Sequence, residues 1–532
     1  MQPLVETTAG AVKGRREVGG SSRRLLHVYR GIPYAAPPIG PLRFRAPEPV
    51  PAWGDVRDAS SFGASPLQSR SNLFGGVVPG NVVGRVDEDC LTLDVWAPRT
   101  GAKLPVLLWF PGGAFLIGGT SVETYDGATL AADHGVVVVS ANYRLGALGF
   151  LWLGDHGGER LGAVGNPGLR DQLAAMSWTR SNIDRFGGDP DNITAFGESA
   201  GAGSLLHLAT VPETALLIRR GVLQSPGVDL TLRPEEARSV TETVLGHLDI
   251  GPRDVARLWD VPPDTLLDAQ ERSLVELLAG VSSTPFHPVV DGDLLGATPS
   301  VAMAGGAGSD LDLLVTWTRD ELRLFPNPAA DKASRADLLR RTQRYLGRRL
   351  GHDPGVQRSD ELLAFYEDRV GGDDPHRGSR LWAALQTDGT MRLPARRIAD
   401  AHAAAGSTTL VGEFSWATRA REGEWERGAF HAIDLPFTFG TLGRCGWAEF
   451  LGAGPAAQRL ARQHMAAWAG FAREGRGEIP GLGPWPSYDT RTRRTMLLDE
   501  PCSVVEDPLG PVDEAWRGLW SPECSARATA YR

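Results

Sequence analysis

Six short apolar runs, each followed by a stretch long enough to form a helix, restrict this chain more than any other feature. They are PVLLWF at 105–110, VVVVSANY at 136–143, ITAFGES at 193–199, GVLQS at 221–225, LDLLVTW at 311–317 and TTLVGEF at 408–414. A strand with one wet face alternates polar and apolar residues, whereas a strand covered on both faces reads as a continuous apolar run. Such runs with helix-sized connections predict a mostly parallel central sheet with helices on both faces. The stretch 168–185 predicts one of the crossover helices, stopped by Phe186-Gly187-Gly188-Asp189-Pro190. No repeat or linker marks a boundary, so one α/β domain over 1–532 is expected, with its last ten or so residues poorly anchored.

Two segments imitate membrane elements. Residues 104–122 (LPVLLWFPGGAFLIGGTSV) carry no charge and are about long enough to span a bilayer. Pro111, Gly112 and Gly113 interrupt them, so a buried strand entering a glycine-rich turn is expected instead. The arginine-rich stretch 335–351 reads as a solvated helix with one buried face. With 55 basic against 64 acidic residues, the net charge of −9 offers no basic field to a nucleic-acid backbone. Neither nucleic acid nor membrane is an expected partner. The first twenty residues mix Glu6, Lys13, Arg15, Arg16 and Glu17 without an apolar core, so no signal peptide and a cytoplasmic location are expected. Cys90, Cys445, Cys502 and Cys524 show no C-x-x-C spacing, which argues against a zinc ribbon or a redox dithiol. No H-E-x-x-H or phosphate-cradling glycine motif is present, and neither metal nor cofactor is expected.

Gly197-Glu198-Ser199-Ala200-Gly201 is the one G-x-S-x-G in the chain. In a sequence with 65 glycines this pattern alone is weak, but an apolar run enters it and a helix-compatible run, 200–209, leaves it. Strand, sharp turn and helix in that order can present a serine hydroxyl as a nucleophile, with glycine needed where the chain crowds itself. An acyl oxyanion needs donors placed in advance. The run at 105–110 opens into Pro111-Gly112-Gly113-Ala114-Phe115, where small residues let backbone N–H groups converge. Gly113 and Ala114, with Ala200 after the serine, would form a three-donor oxyanion hole, supported by Gly112.

Around these residues the chain resembles a type-B carboxylesterase, the α/β-hydrolase family that includes bacterial para-nitrobenzyl esterases and the cholinesterases. The resemblance runs through YRGIPYAAPPIGPLRFRAPEP (29–49), EDCLTLDVWAP (88–98), NYRLGALGFL (142–151) and NPGLRDQLAAMSW (166–178). It continues through FGGDPDNITAFGESAGA (186–202), LLVTWTRDE (313–321) and FHAIDLPFTFG (430–440). It implies an α/β-hydrolase fold with large insertions, with Ser199 as nucleophile, Glu321 as triad acid and His431 as base. Ser225 matches a serine that supports the acid, and Glu198 a carboxylate beside the nucleophile. Arg43 with Glu88, and Arg144 with Asp171, match buried ion pairs. Pro111 and Leu322 depart from the family pattern, and Cys90 lacks the upstream partner that animal relatives have.

The implied activity is hydrolysis of small-molecule carboxylic esters through an acyl-enzyme, with kcat/KM rising through the ordinary histidine range, near about 6.5. The same triad could serve amides, carbamates or lactones, and the same fold could also support a non-catalytic binding protein. Pocket walls are expected from parts of 64–85, 260–290 and 320–380. Trp317, Phe325 and Trp416 could line the pocket or sit in the core.

Overall fold

Each of the six apolar runs is a strand of one eleven-stranded sheet. The computed structural model describes residues 2–68, 78–99, 103–228, 230–278, 285–372, 374–419 and 421–520. In chain order the strands are β1 (Arg15–Gly19), β2 (Arg24–Pro33), β3 (Thr92–Pro98), β4 (Leu104–Phe110), β5 (Val137–Ala141) and β6 (Gly188–Glu198). They continue as β7 (Arg220–Gln224), β8 (Asp312–Thr318), β9 (Thr409–Phe414), β10 (Arg494–Leu498) and β11 (Ser503–Glu506). Their spatial order is β11-β10-β9-β8-β7-β6-β4-β5-β3-β2-β1. From β5 to β10 every neighbour pair is parallel, as continuous apolar strands require. Both margins are antiparallel: β3, β2 and β1 on one side, β11 on the other. The outermost strands, β1 and β11, are largely exposed, so no continuous apolar run marks them.

Alternation along the central strands feeds two separate cores. Val106, Leu108 and Phe110 of β4 face one layer, while Leu107 and Trp109 face the other. On β8, Leu313, Val315 and Trp317 join the first layer and Leu314 the second. The expected crossover helix is α1 (Pro167–Asn182), followed by a tight turn of 3-10 helix to Phe186. The helix leaving the G-x-S-x-G turn is α2 (Ala200–Ala209), buried along its whole length. The arginine-rich stretch is α3 (Arg335–Leu350), which buries Leu338, Tyr345, Leu346 and Leu350. Its Arg335 turns outward to Asp360 at 2.6 Å and Glu367 at 3.0 Å. Within 104–122, β4 runs into a turn, and among the described residues no helix is long and apolar enough to cross a membrane.

Both buried ion pairs are present. Arg43 lies 2.7 Å from Glu88, and Arg144 reaches Asp171 at 2.6 Å and 2.8 Å through two guanidinium nitrogens. Cys90 is a buried free thiol. The terminal residues expected to be poorly anchored lie outside the described residues.

Candidate active site

The parallel strands bring their carboxyl ends to one edge of the sheet, where open α/β sheets place their chemistry. Strand register sets the heights there. Gly197 stands opposite Phe110, Glu198 opposite Gln224, and Gln224 opposite Thr316. The turn after β4, Ser199 after β6, Ser225 after β7 and Glu321 after β8 therefore emerge side by side.

Ser199 has φ 54° and ψ −121°, a strained conformation held between β6 and α2. Its N–H donates to Gln224 O at 2.9 Å, which anchors the turn to the next strand. Space explains the second glycine of the motif, since a Cβ on Gly201 would lie 2.2 Å from Phe110 O. Across from the serine, Gly113, Ala114 and Phe115 follow one another with φ 121°, 56° and 61°. Glycine is needed at the first of these, where a Cβ would also meet Ile117 O at 2.2 Å. Gly112 completes the close approach, because a Cβ there would sit 3.3 Å from Ser199 Cβ.

Glu321 is buried and accepts three hydrogen bonds. Ser225 Oγ donates to Oε1 at 2.7 Å, the Thr318 N–H donates to Oε1 at 2.8 Å, and His431 Nδ1 meets Oε2 at 2.5 Å. Burial opposes ionisation, but His431, Ser225 and the Thr318 amide hold the carboxyl below its usual range. The other ring nitrogen, His431 Nε2, lies 3.1 Å from Glu198 Oε1. Burial would depress the imidazole, yet Glu198 and Glu321 outweigh it and raise its pKa to about 10. Glu198 is pushed up to about 8, first by burial and then by Asp434 and Glu321, against the pull of His431. Two carboxyl groups against the ring favour its protonated form relative to a solvated histidine.

Ser199, Glu198, His431, Gly112, Gly113 and Ala114 all line one cavity of about 240 Å³. Its other walls are mainly apolar, including Ile117, Val122, Leu324, Phe325, Leu435 and Trp447. Ala200 sits behind the serine as the first residue of α2. The expected walls are met in part: 64–85 gives Val78 and Asn81, and 320–380 gives Leu324 and Phe325. No described residue of 260–290 lines the cavity, and 279–284 lie outside the described residues. Its helix, Pro263–Leu278, packs elsewhere and presents Gln270 to the Ala147 N–H at 2.8 Å. Of the three aromatics left open, Phe325 lines the cavity, Trp317 is a core residue bonded to Glu413 at 3.0 Å, and Trp416 packs on Phe437 at 5.2 Å.

Sequence reasoning missed Asp434, a buried carboxyl that accepts from Gln224 Nε2 at 2.6 Å and is raised to about 6, chiefly by burial. Its position three residues after His431 was the available signal. Pro111 shapes the turn after β4 through its carbonyl, which accepts from Tyr143 Oη at 2.7 Å. Leu322 donates its N–H to Thr387 Oγ1 at 3.1 Å and tethers the acid loop from outside. Among the described residues, no group of three or more His, Cys, Asp or Glu is arranged to hold a metal.

The Carboxylesterase family profile matches residues 1–512. A para-nitrobenzyl esterase of Bacillus subtilis (strain 168) is 35% identical over 509 residues, covering 95% of this chain and 96% of that protein. A phenmedipham hydrolase of Pseudarthrobacter oxydans is 33% identical over 520 residues, covering 96% of this chain and 98% of that protein. Among solved structures, a Geobacillus stearothermophilus carboxylesterase superposes with a TM-score of 0.82 at 37% identity, covering 97% of this chain and 100% of that chain.

Proposed function

The chain belongs to the carboxylesterase family and is a carboxylic ester hydrolase, and we propose that Ser199, His431 and Glu321 carry its reaction through an acyl-enzyme. His431 Nε2 takes the Ser199 proton as Oγ attacks the ester carbonyl. The oxyanion accepts from the N–H groups of Gly113, Ala114 and Ala200. His431 then gives its proton to the departing alkoxide, which leaves as the alcohol. Water repeats the sequence on the acyl-enzyme, freeing the acid and restoring Ser199. Glu321, at Nδ1, keeps that nitrogen protonated so that Nε2 serves as the base. Glu198 faces Nε2 and stabilises the imidazolium formed in each half-reaction.

The observation that carries this reading is the ordered contact Ser225–Glu321–His431, with His431 and a strained Ser199 lining one cavity. A cavity of about 240 Å³ with mainly apolar walls suits uncharged aryl and alkyl esters with short to medium acyl chains. One catalytic domain and a cytoplasmic setting belong to the same reading. Cys90, Cys445 and Cys502 stand as free thiols, which suits a reducing compartment. A serine-directed organophosphonate is expected to label Ser199 once per chain and stop turnover, while EDTA leaves the rate unchanged. Labelling at another residue, or full turnover by Ser199→Ala, would sink the assignment.

A further inference from the structure

The carboxylate just before the triad acid grips the segment that carries His431. Asp320 donates its N–H to Ala429 O at 2.9 Å, and the Ala429 N–H donates back to Asp320 Oδ2 at 2.9 Å. One residue further along the first segment and two along the second, the His431 N–H donates to Glu321 O at 3.0 Å. Gly428 enters this ladder with φ 65°, and a Cβ there would lie 2.5 Å from Asp320 Oδ2. Turn and carboxylate are therefore in direct contact. Arg319 at 3.1 Å and Arg323 at 3.5 Å flank the Asp320 carboxylate.

The bond between Glu321 and the ring constrains one atom of His431, Nδ1, and leaves the ring free to swing if its backbone moves. The Glu321 carbonyl holds the His431 N–H, and the chain leading to it needs an anchor of its own. Resting on the reading that His431 is the base, we propose that Asp320 is a positioning residue that fixes the 428–431 backbone and so places Nε2 toward Ser199. Neighbouring residues leaving a strand point in opposite directions, so the two carboxylates grip one loop at two places. Glu321 holds the ring, and Asp320 holds the chain two residues before it.

The test measures kcat and KM of the full chain with para-nitrophenyl butyrate, with circular dichroism and thermal melting to verify folding. Asp320→Ala removes the acceptor, whereas Asp320→Asn can turn its amide oxygen to the Ala429 N–H. Asp320→Ala is expected to lose on the order of a hundredfold in kcat with KM held within about twofold, the scale of a 1 Å misplacement. Asp320→Asn should recover at least about tenfold of that loss. In a Glu321→Gln background, where the ring is already misoriented, adding Asp320→Ala should cost less than about threefold, because the two residues act on one ring. Full kcat in Asp320→Ala, equal losses in the Ala and Asn variants, or an undiminished loss in the Glu321→Gln background would each overturn the proposal. If Asp320→Ala does not fold, Gly428→Ala presses on the same carboxylate from the loop side, and full kcat there overturns it as well. His431→Ala separates the two readings. Its full activity would remove the base assignment, while an inactive His431→Ala beside a fully active Asp320→Ala removes only the positioning role.

Discussion

Glu198 and Glu321 both face the imidazole, but they do different work, and single substitutions separate them. Only a neutral ring can accept the Ser199 proton, and two carboxylates keep the ring charged to higher pH. The acid limb of kcat/KM should thus lie above about 6.5 in the native enzyme and move down toward it in Glu198→Gln. A chemistry-limited substrate followed across pH checks this, and an unmoved limb would show that Glu198 does not act on the ring. Glu321→Gln keeps the shape but offers the ring an N–H where it needs an acceptor, favouring the wrong tautomer. Its kcat is expected to fall by about 10⁴, and a small loss would reassign the acid.

Elements convert local sequence into this site with unequal legibility. The six central strands and the serine turn were readable because burial on both faces leaves continuous apolar runs and because collisions at Gly201 exclude side chains. Glu321 and His431 carry no local sign, and it took the family pattern to pair residues 110 positions apart. Trp317 shows how far a run of apolar letters can be read: strand alternation turns it into the core while Phe325, eight residues later in a loop, reaches the cavity. The cavity walls were only partly legible, since they come from several loops and no period links them. The pairing of Arg144 with Asp171 ties α1 to the segment after β5. Asp171→Ala strands the guanidinium in a dry site and should cost about 3–5 kcal/mol, whereas replacing both partners by well-packed apolar residues should cost much less. Chemical denaturation of the single and double variants measures the difference.

On the scale of the whole molecule, buried histidines oppose folding in acid. His207 and His287 are held down to about 4 and about 3, and His464, stacked on Trp468 at 3.8 Å, to about 3, in each case chiefly by burial. The unfolded chain takes up these protons near about 6.5 and the folded chain refuses them, so stability is full above that pH and drains away below it, toward pH 3 to 4. Asp94, Asp434 and Glu198 act in the opposite sense. Burial raises them to about 6, about 6 and about 8, so their penalties relax on acidification, and the raised His431 adds to them. Taken from pH 7.5 to pH 5 at a fixed scan rate, the thermal midpoint of His464→Phe should fall less, or rise more, than that of the native chain, and identical changes would contradict this role of the buried histidine.

The parallel ladder from β6 to β9 has a further consequence, which concerns time. The contacts that complete the site join residues 96 and 110 positions apart, so no fragment ending before His431 can contain them, and closing such long loops is slow. During synthesis or refolding, hydrolytic activity appears only after β8, β9 and the segment carrying His431 have docked. Recovery of turnover thus times that docking.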